Sequence, residues 1–368
     1  MNKIIRVLHT EWSNGWGGQE IRIINEMIAV REEGVEVFLA CRNQSFIKEK
    51  AKENNIKVFA LPFRGNADFI TLVKLIKIIN AENINIVNTH SGKDTWVGGI
   101  AAKLTGSKFI RTRHLSNPIK STRVNFINEL ADYIFTTGET IRLDMIINNR
   151  INPNKIKSIP TGIDTDIYNP IRHDRKKCRD LFNLQDDQIV IGTVGVLRKF
   201  KRHDRFLLMV RDIVDQNPDK NIRILMAGDG PQKENLANMI DEMDLNRYIS
   251  MLGHIDNVPE LLQALDIFVF TSDSGEGVPQ SVAQALLMET AVISTNVGGI
   301  NDLYNNENFV LINNDEQDLL NLTCDKLLKD NLLRESFAKK SRKYVSENFS
   351  INKMTEKILK TYMDLTEK

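Results

Sequence analysis

The chain has 368 residues, too many for one ordinary hydrophobic core and enough for two. Lysine and arginine total 49 against 48 aspartate and glutamate, so no overall charge surplus draws the molecule to nucleic acid. Three distant cysteines, Cys41, Cys178 and Cys324, lack zinc or redox spacing, which excludes a disulfide scaffold and points to a reducing compartment.

Met1 opens directly onto the strand-like run Ile4-Ile5-Arg6-Val7-Leu8, without the parts of a signal peptide, so a cytoplasmic location is expected. No segment approaches the roughly 20 apolar residues that span a bilayer, and any membrane contact should be peripheral. Strand patterns near 4–9, 35–41, 57–61, 84–89, 107–112 and 133–136 alternate with helical ones. A linker follows, Ile159-Pro160-Thr161-Gly162-Ile163-Asp164, then Tyr168-Asn169-Pro170 and a charged run. The alternation restarts with strands near 189–195, 222–227, 249–252, 267–270, 292–295 and 309–312. From Asp315 the chain reads as helical, with Ser350 as N-cap of a last amphipathic helix. This pattern predicts an α/β protein of two doubly wound, parallel-sheet domains facing a central cleft.

Four groups of residues fall at strand ends, where such sheets bind ligands. Gly15-Trp16-Gly17-Gly18-Gln19-Glu20 follows the first strand, and its glycines would let backbone approach a phosphate or sugar; it lacks the spacing of a dinucleotide fingerprint. After the first strand of the second half, Arg198, Lys199, Lys201 and Arg202 crowd one turn. Four neighbouring cations ask for an anion, and a diphosphate would serve, with Arg198 forking two oxygens and Lys201 adding a point charge. Thr271 to Ala285 places Glu276 between Gly275 and Gly277 ahead of a helix. Its carboxylate can accept from sugar hydroxyls, Gln284 is a neutral partner two turns on, Pro279 suits a first helical position, and the amides of Gly277, Val278 and Gln280 can face an anion. His9, His90 and His114 complete the set, with His114 the best placed to hydrogen-bond a ligand. Asp164-Thr165-Asp166 resembles a divalent-metal pair but sits in the linker and reads as a turn. Ser272 and Ser274 lie in no nucleophile elbow.

In this order the motifs resemble those of the retaining GT-B glycosyltransferases of family 4. The resemblance rests on Gly17-Gly18-Gln19-Glu20, His114, the linker 159–164, the Arg198/Lys201 loop, Ala227-Gly228-Asp229-Gly230-Pro231, Leu252-Gly253-His254, the Glu276 stretch and Val297-Gly298-Gly299-Ile300. It implies two Rossmann-like domains: an acceptor-side domain of residues 1–165 plus about 350–368, with a returning C-terminal helix, and a donor-binding domain of residues 166–349. It further implies that Arg198 and Lys201 hold a donor diphosphate, Glu276 the donor sugar, Gln284 the ribose, and the backbone of Gly253 and His254 the base, while His114 reaches the transferred sugar. No metal or other cofactor is implied; the nucleotide-diphosphate sugar is a co-substrate. Three departures stand out: Gln284 replaces the second acid of the usual Glu-x7-Glu pair, Thr161 stands where asparagine is usual, and Val196 where many members carry arginine.

The expected activity is therefore retaining, metal-independent sugar transfer to a hydroxyl of a glycan or lipid-linked acceptor, in cell-surface polysaccharide or lipopolysaccharide synthesis. A sugar-nucleotide epimerase, a glycoside phosphorylase or a non-catalytic sugar-binding protein would share the two-domain arrangement. Residues 1–165 hold 23 basic and 16 acidic side chains against 26 and 32 in the remainder. With Lys103, Lys108, Arg111, Arg113, Lys120 and Arg123 in one region, the first half is expected to rest on an anionic membrane.

Overall fold

Continuous apolar runs make strands that must be covered on both faces, and the structure, a computed structural model describing residues 4–114, 119 and 126–367, shows two such covered sheets. The chain divides into two units. One runs to Gly162 and resumes at Ile351; the other is Ile163–Ser350.

The first unit holds β1 (Arg6–Glu11), β2 (Glu36–Arg42), β3 (Lys57–Leu61), β4 (Ile86–Thr89), β5 (Lys108–Arg113), β6 (Tyr133–Thr136) and β7 (Ile156–Ser158). They form one parallel sheet in the order β3-β2-β1-β4-β5-β6-β7. Side chains alternate across it: Leu8, Val87 and Phe109 join one core, Val7, Ile86 and Ile110 the other. That second core also takes Met354, Ile358 and Tyr362, so the helix Ile351–Thr366 completes a unit whose other residues lie far upstream.

The second unit holds β8 (Ile189–Val194), β9 (Ile222–Ala227), β10 (Ile249–Gly253), β11 (Ile267–Phe270), β12 (Ala291–Thr295) and β13 (Val310–Ile312), parallel and ordered β10-β9-β8-β11-β12-β13. Val190, Phe268 and Val292 face one core; Ile191, Val269 and Ile293 face the other.

In each sheet the order reverses direction beside one strand, between β1 and β4 and between β8 and β11. Loops leaving such a pair diverge and open a crevice at the carboxyl ends, the usual ligand position of this architecture. β7 escapes the sequence reading because it is three residues long and carries Lys157 and Ser158, immediately before the expected linker. The first strand begins at Arg6, not Ile4, since Ile4 is half exposed.

Candidate functional site

In the second unit, glycines hold the carboxyl-end loops together. Gly228 and Gly230 take φ of 145° and 154°, and a Cβ on them would lie 1.8 Å from the Gly195 carbonyl oxygen and 2.7 Å from that of Leu197. Gly298, at φ 55°, presses on the Glu276 loop in the same way: its Cβ would lie 2.2 Å from the Glu276 carbonyl oxygen, and the Gly299 N–H donates to the Gly277 carbonyl at 3.0 Å. Gly298 and Gly299 thus let a second loop pack directly on the backbone of the Glu276 loop. Thr271 Oγ1 then donates to the Lys201 carbonyl at 2.9 Å and the Asp273 N–H to the Phe200 carbonyl at 2.9 Å, which ties the loop after β11 to the loop after β8.

Across that tie lies an ion pair. Lys201 Nζ stands 2.6 Å from Glu276 Oε1, both side chains mostly buried, and Ser272 Oγ donates to the same oxygen at 2.8 Å. Lys201 also lies 4.9 Å from the centre of the Phe270 ring. Glu276 Oε2 makes no hydrogen bond among the described residues, so one edge of the carboxylate is anchored and the other can accept. Ser272, set aside in the sequence as a nucleophile, is an anchor for Glu276.

The four cations of the basic turn separate. Lys201 is balanced by Glu276. Arg202, at φ 52°, forks Asp204 at 2.9 to 3.1 Å and reaches Asp273 at 3.4 Å. Arg198 and Lys199 are exposed and make no side-chain hydrogen bond or ion pair among the described residues. The expectation that all four await an outside anion is therefore corrected: protein carboxylates already neutralise two. Arg198 lines an open cavity of about 640 Å³ with Phe200, Arg202, Asp273 and Ser274, whose wall includes neither Lys201 nor Glu276.

Pro279 is the N-cap of the helix Gln280–Leu287 rather than its first residue, because its ψ of 115° is still extended. The helix N-terminus, with amides that have no intrahelical acceptor, follows directly on Gly277 and Val278. Gln284 is half-buried on this helix and its amide makes no hydrogen bond among the described residues. At the end of β10, Gly253 sits at φ 68° and its carbonyl accepts from the Gly228 N–H at 2.7 Å, while His254 is largely exposed beside Asp256.

In the first unit, the Gly17 N–H donates to Glu20 Oε2 at 2.9 Å, the glutamate half of a capping box, and Gly18 opens the helix Gly18–Glu32. That hydrogen bond engages the Gly17 amide within the loop whose glycines are expected to let backbone approach a phosphate or sugar. The sequence carried the signal, since Glu20 lies at the third helical position. Nearby, Glu11 accepts from the Ser13 N–H and from Gln19, and burial, with Asp94 adding to it, raises its carboxyl to about 8.

The three histidines form a chain. His9 Nδ1 lies 2.9 Å from His90 Nε2, and His90 Nδ1 lies 2.9 Å from His114 Nε2. The first two rings stack at 5.2 Å with 9° between their planes. Burial lowers His9 to about 3 and holds His90 and His114 well below the ordinary imidazole range; Arg22 adds to both. The sequence placed these residues at strand ends but could not show that β1, β4 and β5 are neighbours. Thr161, the departure in the linker motif, accepts from the buried Arg22 at 3.3 Å. Asp164 accepts from the N–H groups of Asp166 and Ile167, and Asp166 pairs with Arg172, so both serve a turn. Among the described residues, no three His, Cys, Asp or Glu side chains gather as a metal site requires.

Two parallel, doubly wound sheets of this order match the GT-B fold of solved glycosyltransferases, and the family models say more. Residues 16–167 match the family model described as Glycosyltransferase Family 4, and residues 174–344 match that described as Glycosyl transferases group 1. The chain belongs to this glycosyltransferase family. It is 25% identical to the UDP-Gal:alpha-D-GlcNAc-diphosphoundecaprenol alpha-1,3-galactosyltransferase of Escherichia coli, over 98% of this chain and 97% of that one. It is 26% identical to a capsular polysaccharide biosynthesis glycosyltransferase of Staphylococcus aureus, over 86% and 87%. Among solved structures, a glycosyltransferase from Rickettsia africae superposes with a TM-score of 0.87 at 20% identity, covering 98% of both chains. Anabaena HepE, solved with UDP and glucose, gives 0.83 at 19% identity, covering 98% of this chain and all of that one.

Proposed function

We propose that this glycosyltransferase moves a sugar from a nucleotide-diphosphate donor to a hydroxyl of a glycan or lipid-linked acceptor in surface polysaccharide or glycolipid synthesis, with retained configuration and without a required metal. The observation that carries this reading is the anchored carboxylate of Glu276 beside Lys201, in the neighbourhood of the unpaired Arg198 and a helix N-terminus. Glu276 Oε2 accepts from donor-sugar hydroxyls. Arg198, Lys201 and the first amides of Gln280–Leu287 meet the charge that grows on the departing diphosphate, the kind of preorganised stabilisation that commonly contributes most to catalysis. The bond from the anomeric carbon to the diphosphate oxygen breaks as the acceptor oxygen bonds to the same face. The acceptor proton passes to the departing diphosphate. The cation at hydrogen-bonding distance from Glu276 suits a sugar-holding carboxylate better than a free nucleophile. Gln284 takes the ribose, Gly253 and His254 the base, and His114 donates to a sugar oxygen.

Kinetics test this directly. Arg198→Ala and Lys201→Ala should each lower nucleotide release from donor plus acceptor by about two orders of magnitude or more. Turnover undiminished in both would remove the diphosphate assignment. Glu276→Ala should abolish transfer while free nucleoside diphosphate still binds.

Peripheral membrane contact is part of the proposal, and rests on the basic surplus of residues 1–165. Arg111 does not belong to that surface: it is buried and bonded to Thr95. Lys103 pairs with Asp132, and Lys120 and Arg123 lie outside the described residues. No described helix is long and apolar enough to cross a membrane. Co-sedimentation with anionic but not neutral vesicles is the expected result.

A further inference from the structure

We propose that His9 and His90 are positioning residues which, through a single hydrogen-bonded chain, fix the tautomer of His114 and so make its Nδ1 an N–H donor. The functional part of this, that the donor meets a sugar oxygen, rests on the role proposed for His114; the tautomer assignment does not.

The argument is one of proton counting. All three rings are buried and uncharged near neutrality, so each carries one proton. Each of the two 2.9 Å N···N contacts needs one proton between its nitrogens. With one proton on His90, only two arrangements satisfy both contacts. In the first, every ring is protonated on Nδ1: His9 donates to His90, His90 donates to His114, and His114 Nδ1 keeps an N–H. In the second, every ring is protonated on Nε2, the donations run the other way, and His114 Nδ1 is a bare acceptor. The two differ at the chain ends.

At the inner end, His9 Nε2 is buried without a hydrogen-bond partner. The first arrangement leaves an unshared pair there; the second buries an N–H with no acceptor, and orphaned buried donors are the rarer case in proteins. The first is therefore selected. At the other end, His114 Nδ1 makes no hydrogen bond among the described residues, while the His114 carbonyl is fixed by Thr137 Oγ1 at 3.1 Å. The ring is held from both its backbone and Nε2, and Nδ1 remains for a ligand. A group with an acceptor oxygen, such as a sugar hydroxyl, satisfies it; a group that can only donate does not.

Proton-detected ¹⁵N spectra of the imidazoles in the full chain, at neutral pH without ligand, test the assignment. All three rings should be neutral with the proton on Nδ1, and coupling should be visible across both N–H···N contacts. His9→Asp puts an obligate acceptor at the inner end and should reverse the chain, moving the His114 proton to Nε2. Mixed tautomers, protonation on Nε2 in the wild type, or an unchanged His114 in folded His9→Asp would overturn the proposal; the wild-type spectrum decides even where that variant does not fold. Full turnover by His114→Ala would instead remove the sugar contact and leave the tautomer result standing.

Discussion

Buried titratable groups in the first unit pull its stability in opposite directions. His9 stays neutral down to about 3, and His90 and His114 are lowered in the same sense, whereas in the unfolded chain each takes a proton near 6.5. The unfolded state then binds more protons below that value, so stability is lost as pH falls from about 6.5 toward 3. Glu11 acts the other way. Folded, it keeps its proton up to about 8, while unfolded it sheds it near 4.5, so stability falls as pH rises between the two. Urea midpoints should therefore decline on both sides of a maximum near pH 6.5, and Glu11→Gln should make the alkaline decline shallower and the acid decline above about pH 4.5 steeper. A wild-type profile flat down to about pH 4 would contradict the burial of the histidines. At the other candidate site, Glu276→Ala strands the Lys201 ammonium in a mostly buried position and should cost about 1–3 kcal/mol in urea unfolding. Lys201→Met added to it should cost less than the sum of the singles. Glu276 and Lys201 were legible as charged residues at strand ends. Their pairing was not, because sequence does not say which carboxylate will neutralise which cation: Arg202 turned to Asp204, two residues away, and Lys201 to a distant loop.

The elements were readable wherever one residue pattern sufficed. β11 is four buried apolar residues in a row, and the helix after it repeats apolar positions at helical spacing. What escaped was set by contacts between elements. β7 exists because β6 offers it an edge, not because Ile156-Lys157-Ser158 is an apolar run. Likewise Gly298 could be read as a turn, but its closeness to Glu276 belongs to the packing of two loops. This gives a test at the scale of the element. Gly298→Ala adds a Cβ 2.2 Å from the Glu276 carbonyl at a φ of 55°, so it should displace that loop and cut transfer by about tenfold or more while the far-ultraviolet dichroism stays native. Gly65→Ala, with open space around it, should change neither. Equal activity of the two variants would show that the loop contact does not position Glu276.

For the whole molecule, the chain crosses between its units at Gly162–Ile163 and again at Ser350–Ile351. The crossings are tied on each side. Ile163 bridges Ser350 and its N–H donates to the Phe349 carbonyl at 2.9 Å, closing the ends of the second unit on each other. On the first unit's side, a Cβ on Gly162 would stand 2.6 Å from Ile351 Cα, and its N–H lies 3.2 Å from Met354 Sδ. Tyr362 is fully buried against Glu26, which also accepts from Asn88. The second unit is in effect an insertion with joined ends, and Ile163–Ser350 expressed alone should unfold cooperatively in urea. A non-cooperative transition would show that it needs the rest of the chain.

That insertion sets a timetable. On a ribosome the first unit begins first, yet the core around Val7 and Met27 lacks Met354, Ile358 and Tyr362 until the last helix is made. Domains form as units during synthesis, so the later unit can be finished while the earlier one is still open. The half of the enzyme written first is completed last, and until then it presents an unfilled apolar face to the cell.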